Sequence, residues 1–147
     1  MDVVRLETDR LIIRAFTNTD AEDVLAFRSN ADAMRYVPRP LQRSIEDAIE
    51  MIGMINNNIN TNECIAWGVE LKSTRKIIGS VSFHRIEKEN SRAELGYMLH
   101  PDYWGKGIVT EAVKAILDYG FRELKFHSIE AIIDPENTAS ENVLLSE

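Results

Sequence analysis

The residues best suited to chemistry lie in one short stretch, Gly105-Lys106-Gly107-Ile108-Val109-Thr110, between a predicted strand and a predicted helix. Glycine lets a backbone approach a ligand closely, and the first turn of a helix offers unpaired N–H groups at its positive end. These features favour a phosphate or diphosphate, with Lys106 as an added positive charge. Because two glycines at a helix start are a weak signal, a plain loop stays open as the alternative.

Two common phosphate-binding loops fit this stretch poorly. A P-loop needs Gly, four residues and then Gly-Lys-Ser/Thr, a spacing that does not occur in the sequence. A dinucleotide-binding fingerprint matches at Gly105 and Gly107, and Asp134 imitates its ribose-binding acid, but its third glycine falls on Thr110. Residues 101–104 also separate the first glycine from the strand. A dinucleotide-binding domain therefore stays as an alternative only.

The composition indicates one ordinary domain spanning residues 1–147, with 44% hydrophobic residues. Its 17 basic and 24 acidic residues give a net charge of −7, which argues against nucleic acid as a direct partner. The single Cys64 and the scattered histidines offer no metal-ligand spacing. We interpret His84 and His100 as strand-end residues, with a place lining the substrate cleft as the alternative. Without a membrane-length apolar run or a leader-like start, the sequence predicts a cytoplasmic protein that binds neither metal nor membrane.

The hydropathy pattern predicts an α+β fold with a mixed sheet. Strands are predicted at 10–16, 64–71, 76–84, 92–99 and 128–134, and helices at 21–30, 45–57, 108–122 and from 139 to the end. The short connections between the three middle strands make an antiparallel meander. The strand, helix and strand from 92 to 134 should form a parallel, right-handed unit.

The segment at residues 93–112 (AELGYMLHPDYWGKGIVTEA) resembles the GNAT superfamily of N-acetyltransferases, and within it the Rim-type branch that acetylates ribosomal-protein N-termini. The opening at 7–14 (ETDRLIIR) and the late stretch at 137–142 (NTASEN) resemble that branch too. The resemblance implies a GNAT-like acyl-CoA N-acyltransferase fold. It also implies acetyl transfer from acetyl-CoA to a primary amine, with a protein N-terminal α-amine favoured and a small-molecule amine as the other option.

The resemblance further implies where acetyl-CoA binds, as a co-substrate, between the strands at 92–99 and 128–134. The pantetheine arm would pair with backbone at Tyr97, Met98 and Leu99, and with Asn137. The diphosphate would contact the amides of Trp104, Gly105, Lys106, Gly107, Ile108, Val109 and Thr110. The family loop pattern, Gln/Arg-x-x-Gly-x-Gly/Ala, is matched strictly only by its first glycine, here Gly107.

Two residues are candidates for the chemical step, one as a base and one as a hydrogen-bond donor. Strand alternation places Glu94, Gly96 and Met98 on one face, and Glu94 matches the base of some family members. An ordinary strand glutamate paired with an arginine is the equal alternative. The resemblance implies that Ser140 donates a hydrogen bond to the leaving thiolate; the alternative is a residue in the first turn of a capped helix. An α-amine, with a pKa near 8, needs less help from a base than a lysine-like amine.

Family members continue past the last predicted helix into two more strands. We therefore expect a chain that is incomplete at its C-terminus or completed by another chain, with an exposed strand edge that favours a homo-oligomer. These missing strands also motivate a second hypothesis, a catalytically inactive acyl-CoA-binding or interaction module.

Overall fold

The computed structural model describes residues 3–30, 41–61, 64–87, 89–133 and 141–146. The strands are β1 (Leu6–Glu7), β2 (Leu11–Arg14), β3 (Ile65–Leu71), β4 (Lys76–Glu87), β5 (Arg92–Leu99), β6 (Ser128–Ile133) and β7 (Glu141–Ser146). The helices are α1 (Ala21–Arg28), α2 (Ile45–Thr61) and α3 (Ile108–Arg122). No helix in these ranges combines the length and apolar character that crossing a membrane requires.

The strands form one seven-stranded sheet whose order follows the chain from β1 to β7. Every neighbouring pair is antiparallel except β5 and β6, which run parallel. Parallel neighbours need a crossover connection, and α3 supplies it. The predicted α+β class, the meander and the parallel unit are therefore confirmed.

Each face of the sheet carries its own apolar cluster. The cluster under α3 includes Leu95 and Leu99 of β5. The cluster under α1 and α2 includes Met98 of the same strand. Because successive strand residues point to opposite faces, this confirms that Glu94, Gly96 and Met98 share the α1/α2 face.

The prediction of a helix from residue 139 is wrong, because residues 141–146 form β7. β7 pairs antiparallel with β6 from Glu141 with Ile133 to Ser146 with Ser128. The capping signals before this segment are local, whereas the ladder satisfies the backbone groups of two strands at once, and tertiary pairing overrides a local preference. β7 thus covers the edge of β6 that faces away from β5.

A buried ion network fixes the start of α1 against the sheet. Arg14 donates to both carboxylate oxygens of Asp20 at 2.9 Å, and its Nε donates to Glu70 Oε1 at 2.9 Å. Asp20 is 5% exposed and Glu70 is 8% exposed. Burial alone would raise the pKa of Asp20, but hydrogen bonds from Arg14 and Thr17 hold that pKa below its usual value. The hydrogen bond to Asp20 in turn raises the pKa of Arg14.

The middle of the sheet is irregular where β3, β4 and β5 meet. The β3–β4 register shifts between Val69 and Glu70. The Ile77 N–H, on β4 beside this shift, donates to Asp23 Oδ2 of α1 at 3.1 Å. A Cβ on Gly79 would lie 2.0 Å from the Met98 carbonyl oxygen, so only glycine fits this close approach of β4 and β5.

Candidate cofactor and acceptor site

The two parallel strands diverge after a short paired section. β5 and β6 pair from Arg92 with Ser128 to Leu95 with Ala131. Beyond these pairs β5 continues along β4 to Leu99, while β6 continues along β7 to Ile133. A wedge therefore opens between residues 96–99 and the end of β6, at the point where the pantetheine arm is expected.

A shallow cavity lies beside the wedge, between the end of β5 and the first turn of α3. The cavity is an open depression, and its volume of about 200 Å³ includes space that is continuous with the solvent. Its lining consists of Val69, Ser80, Val81, Tyr97, Met98, Leu99, Ile108, Val109 and Ala112. The structure thus brings together five residues expected at the cofactor site: Tyr97, Met98, Leu99, Ile108 and Val109.

The loop before α3 adopts a conformation that depends on glycine. Gly105 has φ +73° and Gly107, which caps α3, has φ +77°. Glu111 N–H donates to the Gly107 carbonyl at 3.0 Å. Within the described ranges, no backbone carbonyl accepts from the N–H groups of residues 105–110. These amides, at the positive end of a 15-residue helix, can bind an anion such as a diphosphate.

Side chains hold this loop against the end of β5. The Trp104 indole N–H donates to the Leu99 carbonyl at 3.0 Å. The His100 Nδ1 accepts from Asp102 N–H at 3.2 Å, capping a short 3-10 helix at Pro101–Tyr103. The Lys106 ammonium lies 5.7 Å from the centre of the Tyr103 ring. The Trp104 N–H donates to the Pro101 carbonyl at 3.1 Å, so it is not one of the free amides that the sequence predicts for the diphosphate, and His100 has a structural role.

Glu94 lies on β5 at the closed end of the wedge, where β5 and β6 are still paired. It stands one residue before the last β5–β6 pair, beside His84 of β4 and Glu130 of β6. Its Oε1 is 3.5 Å from Arg85 Nη1, and its side chain is 35% exposed. Both alternatives from the sequence thus have a geometric basis: an arginine is within ion-pair distance, and the carboxylate lies where the strands separate.

Two polar residues flank Glu94 on the same face: His84, for which the sequence leaves a place in the cleft as an alternative, and Ser82, which the sequence does not single out. The His84 Nε2 lies 2.6 Å from where a Cβ on Gly96 would be, so the imidazole covers that glycine. Ser82 Oγ and His84 Nδ1 are 3.3 Å apart. The alternation of β4 is visible in the sequence, but its register against β5 is not, and the register is what brings His84 to Glu94.

Two expected site residues, Asn137 and Ser140, lie outside the described residues, so their roles stay predictions. In the described part of the chain, no group of three His, Cys, Asp or Glu side chains is arranged to hold a metal ion.

Comparisons with known proteins agree on one family, the GNAT acetyltransferases. The model of the acetyltransferase (GNAT) domain matches residues 10–146. The uncharacterized N-acetyltransferase YoaA of Bacillus subtilis (strain 168) is 38% identical over 140 residues, covering 95% of this chain and 79% of YoaA.

Two further relatives differ in the amine that their names specify. The ribosomal-protein-S5-alanine acetyltransferase of Vibrio fischeri has a crystal structure that matches with a TM-score of 0.71 and 26% identity, covering 92% of this chain and 76% of that one. The spermidine N(1)-acetyltransferase of Escherichia coli (strain K12) is 29% identical over 125 residues, covering 85% of this chain and 64% of the relative.

Proposed function

The chain belongs to the acetyltransferase (GNAT) domain family, and from this premise we propose that it transfers the acetyl group of acetyl-CoA to a protein N-terminal α-amine within a ternary complex. The observation that carries this proposal is the wedge between β5 and β6 next to a loop rich in unpaired amides. The ribosomal-protein acetyltransferase among the structural relatives supports the Rim-type branch.

The described residues fit acetyl-CoA in two parts. Amides of residues 105–110, together with Lys106, suit the diphosphate, and this local grip matters because the net charge is −7. The backbone of Tyr97, Met98 and Leu99 suits the pantetheine amides, which would extend β5 as an added strand does. Acetyl-CoA supplies the thioester carbonyl that the amine attacks, and it leaves as the free thiol.

The residues on the α1/α2 face suit the acceptor amine. A protonated amine has no lone pair for attack, so a base must accept one proton. Glu94 is our proposed base, acting directly or through water, and His84 beside it is the competing base. Ser140 is our proposed hydrogen-bond donor to the departing thiolate, which then takes up its proton from solvent, and Asn137 is our proposed contact to the pantetheine arm.

A protein α-amine is the proposed acceptor for a chemical reason. With a pKa near 8, such an amine is about 10% neutral at pH 7, whereas a lysine-like amine is far less so. Because an α-amine needs less help from a base, it is the easier substrate for a partly exposed carboxylate such as Glu94. The spermidine acetyltransferase relative supports a small polyamine as the second acceptor class.

A thiol-release assay with acetyl-CoA tests the proposal. The panel contains peptides with free N-termini, the same peptides with acetylated N-termini, spermidine and an aminoglycoside. We expect release with the free peptides and none with their blocked partners, which retain any lysine side chains. Thiol release with spermidine but with no peptide would make a small polyamine the acceptor class. If none of the amines causes thiol release while calorimetry shows that CoA binds, an inactive binding module is favoured. A wild-type protein that does not bind CoA would refute the proposal.

A further inference from the structure

The loop that suits the diphosphate is held from outside by residues of the N-terminal segment. Arg10 donates from Nε to Glu111 Oε1 at 2.8 Å and from its backbone N–H to Glu111 Oε2 at 3.0 Å. Its Nη1 donates to the Lys106 carbonyl at 2.9 Å. The Thr8 hydroxyl donates to Glu111 Oε2 as well. One arginine thus contacts both the loop and the first turn of α3.

We propose that Thr8, Arg10 and Glu111 form a positioning clamp that holds residues 105–107 and the start of α3 in the conformation that binds the diphosphate. This inference rests on the proposed function. Thr8, Arg10 and Glu111 are positioning residues, because they act through the loop.

The clamp is anchored on the rigid sheet. Leu11 N–H donates to Thr8 Oγ1 at 3.1 Å, so the Thr8 hydroxyl is oriented by one bond while it donates in another. Lys72, which directly follows β3, donates from its backbone to the Arg10 carbonyl at 2.9 Å and from Nζ to the Thr8 carbonyl at 2.6 Å. Lys72 therefore fixes residues 8–10 to the sheet. Through Arg10, these residues in turn hold the loop at 105–107, which lies about a hundred residues later in the sequence.

The bond to Lys106 sets the direction of a loop amide. In a trans peptide the C=O and the following N–H point in opposite directions. With the Lys106 carbonyl held toward Arg10, the Gly107 N–H points away from Arg10. Gly107 also needs its positive φ, and a Cβ there would lie 3.5 Å from Arg10 Nη2. The arginine therefore selects one peptide orientation at the cap of α3.

The clamp also solves an electrostatic conflict. Glu111 lies in the first turn of α3, where a carboxylate suits the helix dipole but repels a bound diphosphate. Burial by itself would raise the pKa of Glu111, yet the hydrogen bonds from Thr8 and Arg10 hold that pKa below its usual value. The carboxylate thus stays ionised at neutral pH, and Arg10 neutralises it locally. A loop ordered beforehand loses less entropy on binding.

The test compares acetyl-CoA with S-acetylpantetheine, which carries the same thioester but no diphosphate. We expect Arg10→Gln to lower kcat/KM for acetyl-CoA by about tenfold, mainly through KM, since hydrogen bonds to a charged group are lost. The loss for S-acetylpantetheine should stay within about twofold, because that substrate does not use the diphosphate amides. Calorimetry with CoA should show the same weakening without turnover.

Three further variants separate positioning from other roles. Arg10→Lys keeps the charge, but one ammonium cannot replace the guanidinium fork between Glu111 and Lys106, so we expect it not to restore CoA binding. Glu111→Gln, which is isosteric, should weaken CoA binding by about threefold. Arg122→Gln is the control: it breaks an exposed ion pair with Asp118 at the other end of α3, and it should leave kcat/KM unchanged for both acetyl-CoA and S-acetylpantetheine.

Equal losses for both thioesters in Arg10→Gln and Glu111→Gln would overturn the clamp, because they would indicate a general structural role. Full recovery in Arg10→Lys would also overturn it, since charge alone would then suffice. Both outcomes differ from failure of the proposed function, in which the wild-type protein itself does not bind CoA.

Discussion

At the scale of single residues, the site combines groups that the sequence identifies with groups that only the register brings together. Glu94 and the 105–110 loop are recognisable from residue type and position. His84 is not, because its place beside Glu94 depends on the β4–β5 register. Arg10 and Thr8 lie about a hundred residues from Glu111, and no local pattern connects them to it. The 7–14 motif that contains them marked the family without indicating their contacts.

The role of Glu94 is tested by the pH dependence of kcat at saturating amine. Without its base, Glu94→Gln would react only through the neutral amine. We expect kcat to be about tenfold lower at pH 7 than at pH 9 for an α-amine of pKa near 8. The wild-type profile should be flatter over the same range.

The matched control for this experiment is Glu130→Gln, which removes the carboxylate that stands beside Glu94 on β6. A Glu94→Gln profile identical to the wild-type profile would remove Glu94 from the mechanism. The same steepening in His84→Gln instead would transfer the role to the imidazole.

At the scale of elements, the sequence predicts most strands and helices, and it fails where pairing across the sheet decides. The period-two pattern of 64–71, 76–84 and 92–99 corresponds to β3, β4 and β5. The sequence predicts a helix where β7 lies, because a short apolar run follows local capping residues there, while the ladder of β7 with β6 is a long-range feature. The wedge between β5 and β6 was expected from the family resemblance, since no single-strand pattern encodes it.

The close approach of β4 and β5 makes a prediction about Gly79. Gly79→Ala would place a methyl group on the Met98 carbonyl, and we expect a loss of about 3 kcal/mol in the free energy of unfolding. The control is Gly53→Ala on α2, where a Cβ meets no atom within 4 Å; it should stabilise the protein by about 0.5–1 kcal/mol. Urea unfolding measures both, and a Gly79→Ala variant as stable as wild type would show that the strands separate easily.

At the scale of the whole molecule, the two faces of the sheet have different tasks. The α3 face carries the wedge, the cavity and the diphosphate loop, while the α1/α2 face carries Glu94 and His84. The Arg14–Asp20–Glu70 network holds the start of α1 to the sheet. Asp23 of α1 makes a second contact by accepting from the Ile77 N–H of β4. The sequence does not predict the network, whose members meet only after β2 and β3 pair.

The network predicts a pH dependence of stability. Asp20 has a lowered pKa in the folded state, so its contribution is complete above the unfolded pKa and is lost as pH falls through the folded pKa. We expect Asp20→Asn to cost about 3 kcal/mol in unfolding free energy at pH 7. The difference from wild type should shrink below about pH 4, as urea unfolding at several pH values would detect. A difference that is independent of pH would mean that the charge of Asp20 is not what stabilises α1.

The central claim is that the wedge and the loop before α3 bind acetyl-CoA, and a crystal structure with CoA tests it most directly. We predict difference density for the diphosphate on the amides of residues 105–110, with the pantetheine arm running along residues 97–99 toward Glu94. A diphosphate bound elsewhere, or an arm that leaves the wedge empty while calorimetry shows binding, would contradict the account.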